Sequence, residues 1–129
     1  MRSLALLLAA FAFMSPAHAD EYPSRAIKIV SPHPPGVATD VLGRALAVNL
    51  QHSLGQPVVV ENRPGANGIV ADGVIAKSPT DGYTMLITSG AHIANAFVTK
   101  TLPFDVLKDF APVTMTVRPA KDGRSAAVH

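Results

Sequence analysis

The segment from Ser31 to Asp40 has residue types and a spacing suited to holding a small anion. It reads Ser-Pro-His-Pro-Pro-Gly-Val-Ala-Thr-Asp, in which three prolines stiffen the chain and Gly36 permits a positive φ angle. Thr39 and Asp40 offer side-chain oxygens to the first free amides of a following helix. Amides at such a helix start carry a partial positive charge and hold an anion without a lysine or arginine. A plain capped helix start fits the same residues, and that alternative stays open on these residues alone.

A second small and polar segment runs from Ser89 to His92 and is followed by Asn95. A hydroxyl, an imidazole and an amide at these positions raise the question of a hydrolase. The sequence has no Gly-x-Ser-x-Gly motif and no clear acidic partner, so nucleophilic catalysis is not favoured and no catalytic residue is predicted. These residues are instead predicted to line a cleft.

Metal and thiol chemistry are not expected. His33, His52 and His92 lack the paired spacing of metal ligands, and the sequence contains no cysteine. Neither a metal nor another cofactor is therefore predicted.

The charge distribution argues against a nucleic-acid partner. The chain carries a net charge of +2, but residues 20–117 hold 7 basic and 8 acidic side chains. Its five Phe and two Tyr rings are scattered and do not alternate with Lys or Arg. The basic face that nucleic-acid binding requires is therefore absent from the sequence pattern.

Residues 1–19 are predicted to be a signal peptide, with cleavage before Asp20. Arg2 supplies the charged start, an apolar core runs from Leu4 to Met14, and Ala17-His18-Ala19 supplies small residues for the peptidase. The apolar run falls short of the roughly 20 residues that span a bilayer, so no stable membrane insertion is expected after cleavage. Residues 20–117 then form one small folded unit, and the polar residues 118–129 are predicted to be a disordered tail.

The elements that position the two polar segments alternate between strand and helix. Leucines every four residues predict a helix from Thr39 or Asp40 to Leu54, and Gly55 ends it. Runs of β-branched residues predict strands. The strand predicted at 57–61 is apolar enough to be buried on both faces. The predicted strands are 26–30, 57–61, 83–88 and a short one within 111–117, and the further helices are 66–77 and 93–98. Strand, helix and strand within about 35 residues predict a parallel α/β unit.

The chain resembles the periplasmic solute receptors of tripartite tricarboxylate transporters, often called Bug-type receptors. Each motif is weak alone, but the series in this order covers residues 22–117 almost without a gap, whereas 118–129 does not match. The motifs are Tyr22-Pro23-Ser24-Arg25, Pro32-x-Pro34-Pro35-Gly36-x-x-Thr39-Asp40, Gly55-Gln56-Pro57-Val58-Val59-Val60-Glu61-Asn62-Arg63-Pro64-Gly65-Ala66, Pro79-x-Asp81-Gly82-Tyr83-Thr84, Thr88-Ser89-Gly90-x-His92-x-x-Asn95, Leu102-Pro103-Phe104-Asp105 and Lys108-Asp109-Phe110-Ala111-Pro112-Val113.

The resemblance implies a periplasmic-binding-protein-like (type II) fold, of which this chain would be part of the first lobe, with a mainly parallel sheet flanked by helices and the second lobe missing. It also implies a periplasmic protein that binds a small carboxylate and delivers it to the membrane permease of the transporter. In the family, main-chain amides and bound water of the loop after the first strand grip the carboxylate, beside the loop after the third strand. The ligand-binding residues carried over are His33, Pro35, Gly36, Val37, Ala38, Thr39, Asp40, Ser89, Gly90, Ala91, His92 and Asn95.

Two departures from the family pattern bear on function. Val37 stands where a second glycine is common and His33 where an aromatic residue is common. A β-branched residue at position 37 is strained if its φ angle is positive. The second departure is length, since family members run to well over twice this size; a frameshift or a misplaced gene end near Val117 is one hypothesis. The alternative function is accordingly a remnant of such a receptor with no ligand binding of its own.

Overall fold

The computed structural model describes residues 21–118 and 127–128, and the predicted leader at 1–19 lies outside them. A short 3₁₀ turn over Ala66–Gly68 precedes the second helix. The main elements are β1 Ile27–Ser31, α1 Ala38–Leu54, β2 Val58–Asn62, α2 Ile69–Ala76, β3 Thr84–Leu86 and α3 Ala91–Val98.

The three strands form a parallel sheet in the order β2-β1-β3. Ile29, in the middle of β1, lies opposite Val60 of β2 and Met85 of β3. The chain therefore moves from β1 to β2 on one side and returns past β1 to reach β3 on the other. This confirms the predicted mainly parallel α/β architecture with flanking helices.

Helix α1 lies on the sheet through the leucine stripe that the sequence predicts. Its leucines pack against a core made of Ile27, Ile29, Ala47, Val58 and Ile87. Gly55 ends the helix in the left-handed region with φ of 67°, and its amide donates to the carbonyl of Gln51 at 3.0 Å. The helix start is therefore fixed relative to the sheet by packing along the leucine stripe.

Strand β2 is more exposed than the sequence suggests. Val59 is 54% exposed, and only Val58 of this strand is fully buried. The expectation of burial on both faces is wrong because β1, not β2, takes the centre of the sheet. Apolar content alone does not reveal which of two apolar strands is central.

Two predicted boundaries also change. The predicted helix at 66–77 begins only at Ile69, since residues 65–68 have positive φ angles. Within 111–118, strand structure is confined to Val117–Arg118, which pairs antiparallel with Ala127–Val128. The disorder predicted for residues 118–129 stays a prediction, and 119–126 and 129 lie outside the described part of the chain.

Within residues 21–118 and 127–128, no helix combines the length and apolar character needed to cross a bilayer.

Candidate functional site at the carboxyl edge of the sheet

The two segments predicted to bind a ligand lie at the same edge of the sheet, where the parallel strands end. The amide of Arg63 donates to the carbonyl of Ser31 at 2.8 Å, and that of Ile87 donates to the carbonyl of Val30 at 3.0 Å. The loops that follow β1, β2 and β3 therefore start side by side. The strand order reverses at β1, since β2 lies on one side of it and β3 on the other. In open α/β sheets, ligands usually bind between the loops that follow the two strands at such a reversal, here β1 and β3.

The backbone of the first loop has the geometry that its glycine predicts. Gly36 has φ of 87°, a left-handed value that favours glycine, and Val37 has φ of −81° in the extended region. Val37 is therefore unstrained, and its substitution for a family glycine carries no backbone penalty here.

Thr39 and Asp40 do not cap the helix, contrary to the role predicted for their oxygens. Val37 is the residue that flanks the start of α1, and no side chain caps it. The Thr39 hydroxyl lies 2.9 Å from Nδ1 of His33. Asp40, the third helical residue, turns back and accepts from the amide of Gly36, one residue before the amide that a capping box would use. Both side chains thus bind the loop that precedes the helix.

Asp40 is the most heavily bonded side chain of the site and is only 2% exposed. Its Oδ2 accepts from the Gly36 amide at 2.8 Å and from Nε of Arg44 at 3.0 Å, and its Oδ1 accepts from Nδ2 of Asn62 at 2.8 Å. The Arg44 guanidinium, followed by the Gly36 amide and Asn62, holds the pKa of Asp40 far below its usual range. The carboxylate is therefore charged, and its charge is compensated by Arg44.

Asn62 joins the end of β2 to the same loop. Its Nδ2 donates to the carbonyl of His33 at 3.0 Å as well as to Asp40, and its Oδ1 accepts from Arg44 at 3.2 Å. The loop is thus held from both sides, by α1 and by the neighbouring strand.

The amides of Val37, Ala38 and Thr39 remain open to a ligand. Within residues 21–118 and 127–128, none of them donates to a protein acceptor, and Val37 and Ala38 lie on the surface. Free amides of a first helical turn bind anions because the helix dipole adds to their own partial charge. These three amides therefore form an electropositive backbone edge at the start of α1, beside the exposed residues Pro35 and Gly36.

The second segment divides into an exposed part and a buried part. Ser89 and Gly90 are exposed at the carboxyl edge, and Ala91 begins α3. Farther along, Nδ1 of His92 lies 3.0 Å from Oδ2 of Asp72, whose side chain is 1% exposed. The two atoms are close without the alignment of a hydrogen bond. The His92 ring also packs edge-on against Phe110, with the ring centroids 4.6 Å apart.

Asn95 is likewise engaged with the protein and is 1% exposed. Its Oδ1 accepts from Nδ2 of Asn67 at 2.8 Å, and its Nδ2 donates to the Asn67 carbonyl at 3.0 Å. His92 and Asn95 lie three positions apart on one face of α3. His92 faces Asp72 of α2, and Asn95 faces Asn67 of the 3₁₀ turn that precedes α2. The structure brings Ser89 and Gly90 to the open edge, and places these two side chains beneath it.

Sequence reasoning missed the supporting roles of Asn62, Arg44, Asn67 and Asp72. A signal existed for two of them, since Asn62 directly follows an apolar strand and Asp72 is the one carboxylate inside the apolar run 69–76. Arg63, which directly follows β2, binds the Glu61 carboxylate through its Nε. Only the tertiary contacts identify the partners of the four residues named above.

Comparison with known proteins decides the family. The family model described as the tripartite tricarboxylate transporter family receptor matches residues 42–121. The chain belongs to this receptor family. The Protein BugT of Bordetella pertussis (strain Tohama I) is 43% identical over 114 residues, which are 87% of this receptor chain and 35% of BugT. A UPF0065 protein from the gbd 5' region of Cupriavidus necator is 38% identical over 93 residues, or 72% of this chain and 28% of that one.

Solved structures share the fold of the receptor chain. MatC from Rhodopseudomonas palustris, with bound malate, superimposes with a TM-score of 0.70 at 32% identity, over 74% of this chain and 33% of MatC. An R. palustris protein solved with adipate gives a TM-score of 0.64 at 37% identity, over 67% of this chain and 29% of its own. The receptor chain thus spans about a third of the length of these relatives and corresponds to part of a periplasmic-binding-protein lobe.

Proposed function

We propose that this receptor chain binds one carboxylate group of a small organic acid at the free amides of Val37, Ala38 and Thr39. The observation that carries the proposal is that these free amides follow β1, where the strand order of the sheet reverses. Ser89 and Gly90 follow the neighbouring strand β3 at the same edge. Family relatives of the same fold hold malate and adipate, which are both dicarboxylates. The shared chemistry of those two ligands is a carboxylate on a short carbon chain.

The proposed contact needs no basic side chain. Each free amide donates one hydrogen bond to a carboxylate oxygen, and bonds to a charged acceptor are about twice as strong as neutral ones. Asp40 lies close behind the loop, but Arg44 compensates its charge, so it does not repel the incoming anion. Ser89 and Gly90 follow the neighbouring strand β3 at the same edge, and the Ser89 hydroxyl is the proposed donor to the second carboxylate oxygen. The proposal contains no catalytic step, and the proposed role is that of a receptor.

The transport role follows from family membership and is proposed on that ground. The chain acts outside the cytoplasm, in the periplasm, and delivers the acid to the membrane permease of a tripartite tricarboxylate transporter. The contacts that choose one acid over another are proposed to come from elsewhere in a receptor of the relatives' length, because the backbone surface described here recognises only a carboxylate.

Isothermal titration of the folded chain with malate and with adipate tests this proposal. The matched control is dimethyl adipate, which has the same carbon chain but no charge. We expect heat and saturation with at least one diacid and none with the diester. A folded chain that binds neither diacid, or binds the diester equally well, contradicts carboxylate binding by this chain.

A second candidate is a receptor segment that does not bind a ligand by itself. It is favoured by large apolar side chains left on the surface, since Phe97 is 85% exposed, Leu107 84% and Val113 82%. Surfaces of this kind drive association when they are uncovered. Light scattering of the chain with and without malate separates the two candidates: concentration-dependent association without a malate effect supports the second, and a malate-binding monomer supports the first.

A further inference from the structure

The turn between β2 and α2 is backbone-strained. Four successive residues have positive φ angles: Gly65 at 144°, Ala66 at 46°, Asn67 at 54° and Gly68 at 95°. Glycine adopts such values freely, but an alanine in the left-handed region costs about 1–2 kcal/mol. A turn of this kind persists only where surrounding contacts hold it.

Asn95 supplies those contacts from α3. Its amide group binds Asn67 twice, once through the side chain at 2.8 Å and once through the main-chain carbonyl at 3.0 Å. Asn95 is 1% exposed, whereas Ala66 and Asn67 are exposed. A buried side chain thus fixes the conformation of a surface turn 28 residues away along the chain.

The turn in its strained form touches the first ligand loop. A Cβ atom built on Gly68 would lie 3.2 Å from Cβ of Pro32, so the Gly68 backbone packs directly on that proline. Pro32 is buried and begins the segment that carries Gly36 and the free amides. A change in the turn therefore alters one of the contacts that position this loop, at its first residue.

We propose that Asn95 is a positioning residue for carboxylate binding, which acts by holding the 65–68 turn against Pro32. This proposal rests on the proposed carboxylate site at Val37 to Thr39, and it gives Asn95 a role that needs no contact with the ligand. The Oδ1 and the Nδ2 of Asn95 are both hydrogen-bonded to Asn67.

The experiment compares Asn95→Ala with Asn95→Ala/Ala66→Gly in the full chain. Asn95→Ala removes the holding contacts, and Ala66→Gly removes the strain that needs them. Val58→Ala is the control. Val58 is a core residue at the start of β2, whereas the turn follows the end of β2, so this substitution should lower stability without touching the turn. Two readouts are taken on each variant: the amide NMR shifts of Gly36 and Val37 in the ligand-free chain, and the Kd for malate and adipate.

We expect Asn95→Ala to shift the Gly36 and Val37 amides and to weaken diacid binding about tenfold, with both effects largely reversed by Ala66→Gly. Val58→Ala should lower the melting temperature but leave both readouts near wild type. Unchanged Gly36 and Val37 shifts in Asn95→Ala, equal shifts in Val58→Ala, or no reversal by Ala66→Gly would overturn the proposal. If the wild-type chain binds neither diacid, the proposed function fails, and the NMR shifts still decide whether Asn95 positions the loop.

Discussion

The carboxylate of Asp40 accepts a hydrogen bond from the amide of Gly36 at 2.8 Å. The third residue of α1 thereby closes back onto the loop that leads into its own helix. This bond uses the Gly36 amide, so the amides available for a ligand are those of Val37, Ala38 and Thr39. Asp40, together with Asn62 and Arg44, holds the loop that leads into these amides.

Replacing Asp40 with asparagine should disturb this arrangement. An Asn side chain has one acceptor oxygen and a donor group, so it places an NH₂ against one of the three donors that now face the carboxylate. We expect Asp40→Asn to lower the melting temperature and to weaken malate or adipate binding about tenfold, measured by calorimetry.

The matched control for that change is Asp109→Asn. The Asp109 carboxylate accepts from the amide of Asp105, four residues earlier, at 2.7 Å. Asp40 accepts from the amide of Gly36 with the same four-residue spacing. The Asp109 bond lies within the 105–109 turn, away in sequence from both ligand segments, and Asp109→Asn should leave binding unchanged. Equal affinities of wild type and Asp40→Asn would contradict the positioning role of Asp40.

Acid pH should destabilise the chain through the same group. The pKa of Asp40 is held far below its usual range, chiefly by Arg44, and the pKa of Glu61 is lowered by Lys28 and Arg63. A lowered folded-state pKa gives stability that is present above the unfolded value of about 4 and is lost as pH falls towards the folded value. We expect the urea midpoint to drop between about pH 5 and about pH 3. The drop should be smaller in Asp40→Asn, and identical pH profiles would count against this assignment.

Gly36→Ala tests the backbone requirement of the loop without adding a clash. A Cβ at Gly36 meets nothing within 4 Å, so the substitution acts only through the φ angle of 87°. The expected cost is about 1–2 kcal/mol in the free energy of unfolding, with weaker diacid binding. Gly73→Ala in α2 is the control: its Cβ would meet Phe104 at 4.0 Å, an ordinary contact, and it should stabilise the chain by about 0.5–1 kcal/mol. If both variants change stability by the same amount and sign, the φ argument fails.

Glu61 should make a small, salt-dependent contribution to stability. Its carboxylate lies 2.7 Å from Nζ of Lys28 on the neighbouring strand and also binds Arg63, and its side chain is 26% exposed. Partly exposed pairs are screened by solvent, so Glu61→Gln should cost about 0.5–1 kcal/mol in urea unfolding at low salt and less at high salt. Lys108→Gln, which removes a more exposed pair with Asp105, should have no measurable effect. A salt-independent loss in Glu61→Gln would point to packing instead of charge.

The local elements were predictable because local patterns specify them. The leucines of α1 recur with the helical period, Gly55 is needed where φ is 67°, and Gly36 is needed where φ is 87°. Short-range signals of this kind depend on residues within one or two turns. They do not say which strand is central, and the burial expected for Val59 was therefore wrong.

The sequence by itself predicted the parallel unit of β1, α1, β2 and β3, the glycine-bearing loop after β1 and the resemblance to the receptor family. The tertiary structure alone decided which polar side chains face outward. Asp40 meets Asn62 across 22 residues and Asn95 meets Asn67 across 28, and no local pattern encodes such pairings. The physical reason is that a buried polar group must find a partner wherever the fold provides one. His92 and Asn95 accordingly face Asp72 and Asn67, while the backbone of Val37, Ala38 and Thr39 is left for the ligand.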